Sequence, residues 1–195
     1  MTPAAWPALS AEIARCRQCA DRLPLGPRPI FAGSATARLR LISQAPGRKA
    51  HLAGVPFADA SGDRLRDWLG ITPEVFYDER QVAILPMGFC YPGTGASGDL
   101  PPRPECAPAW RRELLGHLTQ VRLTLVIGQY AQHYYLRDEG KDSLTETVLN
   151  WADYGPAWLP LPHPSPRNTF WLKKNPWFEQ EVIPHLQQRV APLLL

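Results

Sequence analysis

The sequence predicts an α/β fold, a three-layer αβα sandwich around a central, mostly parallel four-stranded sheet. Short apolar runs alternate with amphipathic stretches, a pattern typical of strands connected through helices. The runs are LRLI, VAILPMG, LTLVIG and AWLPLP, which begin at Leu39, Val82, Leu123 and Ala157. Ligands of such sheets bind at the carboxyl ends of the strands. The loops after these runs are therefore expected to face one crevice.

The size and composition of the chain indicate one globular domain that spans residues 1–195. Hydrophobic residues make up 45% and charged residues 20% of the sequence, which is ordinary for a globular protein. Proline is the exception, because 22 prolines are about twice the usual share. We therefore expect a loop-rich fold with short helices and strands.

No apolar run approaches the ~20 residues that a membrane-spanning helix needs. The N-terminal sequence also lacks the basic and then apolar order of a secretion signal. We therefore expect a cytoplasmic protein with no membrane partner, and a monomer by default. The net charge of +3 is too small to indicate a nucleic-acid partner by itself.

Several helices are predicted from periodicity and from capping residues. Ser10 is expected to cap a short helix through AEIARC, and Ser61 to cap a helix that stops at Gly70. Ala107–Gln120 has apolar residues at helical spacing. Asn175 precedes a closing helix that contains a proline and is therefore expected to bend.

Four loops are expected to line the crevice at the ends of the strands. They are Ser43–Gly47, Gly88–Pro92, Gly128–Gln129 and His163–Ser165. The first loop continues into the stretch SQAPGRKAHLAGVPF, which holds two glycines, two prolines and no carboxylate. Such a loop can bring its backbone close to a ligand.

The four cysteines are the strongest sign of a bound metal. Cys16 and Cys19 form a C-x2-C pair, and fifteen residues separate Cys90 from Cys106. Disulfides are rare in cytosolic proteins, so ligation is the leading interpretation. Four thiolates suit an iron–sulfur cluster or a zinc ion. The wide second spacing favours the cluster, with zinc and unligated buried thiols as alternatives.

The features that carry a resemblance to a known family are this cysteine spacing, the Pro-Gly loop, the element GVPF and the motif HPSP at His163. In these features the chain resembles the iron–sulfur uracil-DNA glycosylases, often called family four. The resemblance runs from about residue 16 to the closing helix. That family's first motif, roughly GEAPGxxEDxxGxPFVGxSG, aligns without gaps with Ser43–Gly62. The resemblance implies a [4Fe–4S] cluster held by the four cysteines and DNA with a damaged or deaminated base as the partner.

The chain departs from the family pattern at several positions. Gln44 replaces the Glu of GEAPG, and Ala50 and His51 replace the acidic pair that follows Pro-Gly. Pro86 stands four residues before Cys90, where the related enzymes have an Asn that reads the uracil edge. These departures leave the target base and the water-activating residue open. Gln44, His51 and Asp59 are the candidates for placing the water.

The resemblance also implies roles for residues of the crevice. His163 would stabilise the departing base anion, and Phe57 would stack on the extruded base. The expected catalytic residues are His163, Gln44 and His51. The expected base-binding residues are Ala45, Pro46, Gly47, Phe57 and Pro86. The expected DNA-binding residues are Ser165, Pro166, Arg167, Lys173 and Lys174, with Arg167 filling the space that the flipped base leaves.

The sequence thus predicts a DNA glycosylase-like enzyme that hydrolyses the N-glycosidic bond of uracil or a related lesion after base flipping. One alternative is a non-catalytic module that binds damaged or single-stranded DNA and carries a structural iron–sulfur cluster. The missing acids and Pro86 favour this alternative, whereas His163 and Phe57 favour the enzyme. A redox carrier built around the cluster is a third interpretation, which only the cysteines support.

Overall fold

The structure is a computed structural model that describes residues 5–96, 98–136 and 143–194. Its main sheet has four strands: β1 (Leu39–Ile42), β2 (Val82–Ile84), β5 (Leu123–Ile127) and β6 (Trp158–Leu161). The strand order is β2-β1-β5-β6, and every pair is parallel. The expectation of a mostly parallel four-stranded sheet is therefore confirmed.

A second, two-stranded antiparallel sheet lies between β2 and the following helix. Its strands are β3 (Thr94–Gly95) and β4 (Gly98–Asp99). The sequence analysis did not predict this hairpin, because its strands are two residues long and have no apolar alternation.

The helices of the first half of the chain are short. They are α1 (Ala5–Ala14), α2 (Arg48–Ala53), α3 (Ala60–Leu69), α4 (Pro73–Phe76) and α5 (Cys106–His117). The second half contains α6 (Gln129–Tyr135), α7 (Leu144–Leu149), α8 (Thr169–Lys174) and α9 (Ile183–Val190). Among the described residues no helix is both long enough and apolar enough to span a bilayer.

Helices cover both faces of the sheet. Leu39 and Leu41 of β1 pack with Leu65 of α3 and Leu186 of α9 in the largest hydrophobic cluster. The opposite face has two smaller clusters. One joins Ala83 of β2 to helices α1 and α5, and the other joins β1 and β5 to α6. Side chains alternate between the faces of a strand, so a sheet that is buried on both faces needs apolar residues at most strand positions.

Two predicted helix caps are wrong. Ser10 lies inside α1, which begins no later than Ala5, because the preceding residues AWPAL are also compatible with a helix. Ser61 lies in the first turn of α3, and Asp59 is the cap: its Oδ1 accepts hydrogen bonds from the backbone N–H groups of Ser61 and Gly62. The stop at Gly70 is confirmed, since this glycine has a left-handed φ of 67°.

The predicted closing helix is present after Asn175, but it contains a π-helical turn that was not predicted. A π-helical turn, Phe178–Val182, precedes α9, and Pro184 lies in the first turn of α9. Proline has no N–H group to donate to the preceding turn. The wider π-helical turn before Pro184 therefore lies where the regular helical hydrogen bond is missing.

Candidate active site

A cavity of about 570 Å³ opens at the carboxyl ends of the main strands. Its wall includes the loop Ser43–Gly47 after β1, Pro86 after β2, Gly128 after β5 and His163 after β6. Parallel strands bring these loops to one edge of the sheet. The volume lies within the range of ~300–1,000 Å³ that is usual for small-ligand sites.

His163 is half-buried in this wall. A hydrogen bond shows which of its ring nitrogens carries the proton. The backbone N–H of Ser165 donates to Nδ1 of His163 over 3.2 Å. Because Nδ1 accepts, the neutral ring carries its proton on Nε2, which remains available as a donor. Burial lowers the pKa of His163, although the carboxylate of Asp59 acts in the opposite direction. The ring is therefore neutral at pH 7.

Gly128 allows His163 to lie close to the end of β5. A Cβ on Gly128 would lie 3.4 Å from the Cβ of His163 and 3.6 Å from its Cδ2. The φ of Gly128 is also 81°, a conformation that side chains disfavour. A glycine at this position thus serves both the turn from β5 into α6 and the packing of the histidine.

Phe57 lines the same cavity as His163. It adopts a left-handed φ of 55°, which is strained for an aromatic residue. The hydroxyl of Tyr77 donates to the Phe57 carbonyl over 3.2 Å, and the ring makes an edge contact with Phe76. Gly62 permits this arrangement, because any Cβ there would overlap the Phe57 carbonyl oxygen.

Ala45, Pro46 and Gly47 form the floor beside Phe57. Gln44 lines the cavity as well, and its side-chain amide donates to the carbonyl of Leu100 over 3.1 Å. This bond ties the loop after β1 to the segment that follows the β3–β4 hairpin.

A helix on the opposite face of the sheet holds the segment that follows β2 at the cavity wall. Arg111 of α5 is only 4% exposed, and its guanidinium donates to the carbonyls of Leu85 and Pro86 over 3.1 and 2.7 Å. Pro86 lines the cavity but has no N–H group and no side-chain polar atom. A ligand at this position therefore meets an apolar ring.

Two carboxylates reach the cavity close to Gly47. A Cβ on Gly47 would lie 3.3 Å from Oδ2 of Asp99 and 3.6 Å from Oδ2 of Asp59. Asp59 is held in place as the cap of α3. Asp99 comes from the β3–β4 hairpin, and the sequence analysis did not identify it.

His51 does not belong to the described lining of the cavity. Its side chain is 5% exposed, and its ring lies 6.0 Å from that of Tyr91. Burial and the charge of Arg28 lower its pKa. The alignment of motifs placed this residue in the loop, but α2 turns its side chain into the protein. The structure therefore does not bring His51 together with His163 and Phe57.

The loop after His163 is braced on both sides. The guanidinium of Arg64 donates to the carbonyl of Ser165 over 2.9 Å and to the hydroxyl of Thr169 over 3.2 Å. The side-chain amide of Asn168 donates to the His163 carbonyl over 2.7 Å. Ser165 and Arg167 line the cavity, and Pro166 is exposed at the tip.

Lys173 and Lys174 lie outside the cavity, on the exposed side of α8. The ammonium group of Lys174 sits 4.5 Å from the centre of the Phe170 ring, and this ring is 67% exposed. The structure thus places both lysines on the surface, on the helix that follows the loop.

The four cysteines surround a second, separate cavity. Cys16, Cys19, Cys90 and Cys106 all line it, with Trp110 and Phe89 beside them. Burial raises the pKa of Cys90 and of Cys106 to about 11. Among the described residues no three His, Cys, Asp or Glu side chains are placed to hold a metal ion.

A hydrogen-bond donor and two cations near these thiols favour the thiolate form, in opposition to the burial that raises the pKa of Cys90 and Cys106. The backbone N–H of Phe89 donates to Sγ of Cys106 over 3.4 Å. The positive charges of Arg103 and Arg17 act on Cys19 and Cys90. Hydrogen bonds and cations stabilise thiolates, and they tune the iron–sulfur clusters that thiolates hold.

Several polar residues of the cavity went unrecognised in the sequence. Asp99, Tyr130 and Asn168 line it together with the predicted residues. The glycine-rich stretch GTGASGD signals a tight turn before Asp99, but nothing in it indicates that Gly98 and Asp99 line the cavity.

The fold and the cavity define an α/β protein with a ligand site at the ends of a parallel sheet. A family model for the uracil DNA glycosylase superfamily matches residues 30–187. The chain belongs to this superfamily. Its members are generally DNA glycosylases, so family membership indicates a DNA-glycosylase-type function in base-excision repair.

Proposed function

We propose that this protein is a DNA glycosylase that removes uracil or a related deaminated or damaged base by hydrolysing the N-glycosidic bond. The observation that carries the proposal is that Phe57 and His163 line one cavity of about 570 Å³. A base inside a duplex cannot be reached, so the target nucleotide must flip into such a pocket.

The floor of the cavity suits a planar ring. Phe57 offers an aromatic face, and Ala45, Pro46 and Gly47 leave room for close approach of the base. Base–aromatic stacking contributes about 1–3 kcal/mol per base. The strained backbone of Phe57 supports a binding role, because such strain persists where the surrounding structure holds a functional residue in place.

His163 would stabilise the departing base. As the glycosidic bond breaks, negative charge develops on the base and positive charge on the sugar. The Nε2–H of neutral His163 would donate to a base oxygen, while Nδ1 remains bonded to Ser165. One well-placed donor of this kind is worth roughly 2.7–4 kcal/mol of transition-state stabilisation.

The identity of the base would be read by groups other than Pro86. The side-chain amides of Gln44 and Gln129 are donors and acceptors at the cavity wall. Gln44 uses one N–H of its amide on Leu100, so its second N–H and its oxygen remain as a donor and an acceptor. This set allows bases other than uracil as targets.

DNA would contact the outer rim of the cavity. Ser165, Pro166 and Arg167 form a loop that Arg64 and Asn168 hold rigid, and a rigid tip is suited to entering the base stack. Lys173 and Lys174 follow on the exposed side of α8, where they can bind phosphates.

We also propose that Cys16, Cys19, Cys90 and Cys106 hold a [4Fe–4S] cluster, with zinc as the alternative. When bound, the group would supply a structural crosslink between residues far apart in sequence. Cys16 and Cys19 follow α1, Cys90 follows β2, and Cys106 begins α5. The base-binding cavity is lined by other residues, so the group would take no part in bond cleavage.

The glycosylase proposal is tested with oligonucleotides that carry uracil, hypoxanthine and related lesions. Alkali after incubation cuts the strand wherever a base has been removed. We expect scission by the wild type on at least one lesion, and a loss of about 10²–10³-fold in the His163→Ala variant, as for other single donors.

His133→Ala is the matched control, because His133 lies on the exposed side of α6. Its activity is expected to equal that of the wild type. Binding to lesion-containing DNA without scission at any lesion would contradict the proposal and would indicate the non-catalytic binding module instead.

A further inference from the structure

The cavity contains two carboxylates that face the same backbone position. Oδ2 of Asp99 and Oδ2 of Asp59 lie 3.3 and 3.6 Å from the point where a Cβ on Gly47 would stand. Among the described residues that line the cavity, Asp59 and Asp99 are the carboxylates. The hydrogen atom in place of a side chain at Gly47 leaves space between them.

One carboxylate oxygen of Asp59 has a structural role, because it caps helix α3. Its Oδ1 accepts from the backbone N–H groups of Ser61 and Gly62 over 3.0 and 3.1 Å. These bonds fix the side chain as the cap of α3. Asp59 and His163 line the same cavity, and the carboxylate of Asp59 acts to raise the pKa of His163.

Asp99 has no comparable structural task among its described contacts. Thr94, its partner in the β3–β4 pair, has its hydroxyl 3.5 Å from Oδ1 of Asp99. The residue is exposed at the cavity mouth. Two hydrogen bonds hold the next residue, Leu100: its N–H donates to Gly93 over 2.8 Å, and its carbonyl accepts from Gln44 over 3.1 Å.

We infer that Asp99 is the carboxylate that positions the attacking water in the proposed glycosylase reaction, an inference that rests on that proposed function. The water oxygen forms a bond to C1′ of the deoxyribose. The N-glycosidic bond breaks, and its electron pair leaves with the base, whose oxygen accepts a hydrogen bond from His163. The water gives one proton to Asp99, which passes it to solvent, and the departed base anion takes one proton from solvent, so the products are the free base and an abasic site.

The fixed charge of Asp59 complements this role. A carboxylate that its capping bonds hold at the cavity wall can stabilise the positive charge on the sugar, while the second carboxylate orients the nucleophile. Ala50 offers only a methyl group, and His51 is buried outside the described lining. Asp99 thereby supplies from the hairpin a function that the loop after β1 does not provide.

The experiment measures base excision under single-turnover conditions with saturating enzyme, using a lesion that the wild type cleaves. Asp99→Asn is expected to slow excision about 10²-fold or more, the usual contribution of a positioned acid–base group, while its affinity for the DNA stays that of the wild type. Asp99→Glu keeps the carboxylate and is expected to recover part of the rate. Asp67→Asn, on the exposed side of α3, is the matched control and should match the wild type.

The variant Gly47→Ala provides a second test of the space beside Asp99 and Asp59. Its methyl group would fill the space between the two carboxylates, so it should also slow excision without preventing the protein from folding, as a thermal melt can verify. The backbone φ of −75° at Gly47 accommodates alanine.

The possible results are distinguishable. Asp99→Asn excision at the wild-type rate would overturn the role of Asp99 and leave the glycosylase function standing. Equal losses of rate and of DNA affinity would also overturn it, because they would show that Asp99 serves binding. A wild type that cleaves no lesion would refute the glycosylase function and this inference together.

Discussion

At the scale of single residues, the site depends on a few close approaches that exclude larger side chains. Phe57 is held in a left-handed conformation, and its carbonyl lies directly against Gly62 of α3. The Tyr77 hydroxyl donates to the same carbonyl. The aromatic wall of the cavity thus relies on a glycine that is five residues away in sequence and inside a helix.

We predict that Gly62→Ala displaces the Phe57 backbone. The variant should lose about 1–3 kcal/mol of unfolding free energy, the usual cost of overpacking, and excise bases more slowly. Gly116→Ala in α5 is the control, because a Cβ there meets nothing within 4 Å. This control should gain about 0.4–1 kcal/mol. Urea denaturation measures the free energy of unfolding of both variants. A Gly62→Ala protein with the stability of the wild type would show that the contact with Gly62 does not maintain the strained conformation of Phe57.

At the scale of secondary-structure elements, α5 connects the two functional regions. It begins at Cys106, beside the cysteine cavity, and its buried Arg111 donates to the carbonyls at the end of β2. The guanidinium also lies 5.7 Å from the centre of the Tyr135 ring. Pro86, the wall that a base edge would meet, is therefore held by a helix on the opposite face of the sheet.

We predict that Arg111→Met destabilises the protein by about 2 kcal/mol or more, because two carbonyls lose a charged donor and each such bond contributes about 1.5–3 kcal/mol. Arg112→Met, the exposed neighbour on the same helix, should leave the free energy of unfolding nearly unchanged. Chemical denaturation compares the two variants. Equal stability of both would mean that water replaces the Arg111 hydrogen bonds.

At the scale of the whole molecule, the four cysteines come from parts of the chain that are distant in sequence and line one cavity. Helix α1 packs on α5 through Trp6, Leu9 and Ile13, in one cluster with Leu114. The pair Cys16 and Cys19 follows α1 directly. A metal group at the four thiols would add a covalent link to this hydrophobic contact and fix the N-terminal arm.

We expect anaerobically purified protein to be brown, with absorbance in the visible blue, and Cys90→Ser to lose both the colour and the iron. Its melting temperature should fall, since metal binding contributes to folding free energy. Metal analysis distinguishes iron from zinc. A Cys90→Ser protein that remains fully loaded would contradict the assignment of ligands.

The glycosylase and water-positioning tests use the same DNA substrates, but they measure different steps. Loss of activity in His163→Ala reports on the leaving base, whereas loss in Asp99→Asn reports on the nucleophile. Because His163 lies in the loop after β6 and Asp99 lies in β4, a combined variant also shows whether the two contributions are additive.

The sequence by itself determined the layered architecture, because a strand that is buried on both faces must be apolar throughout, and four such runs are visible. It also determined which loops meet, since parallel strands bring their carboxyl ends to one edge. It did not determine the orientation of His51, which depends on the rotation of a six-residue helix. Nor did it reveal Asp99, because a hairpin of two-residue strands has no periodic signal. Only the tertiary structure decided which side chains face the cavity, because that depends on packing between segments that are far apart in the chain.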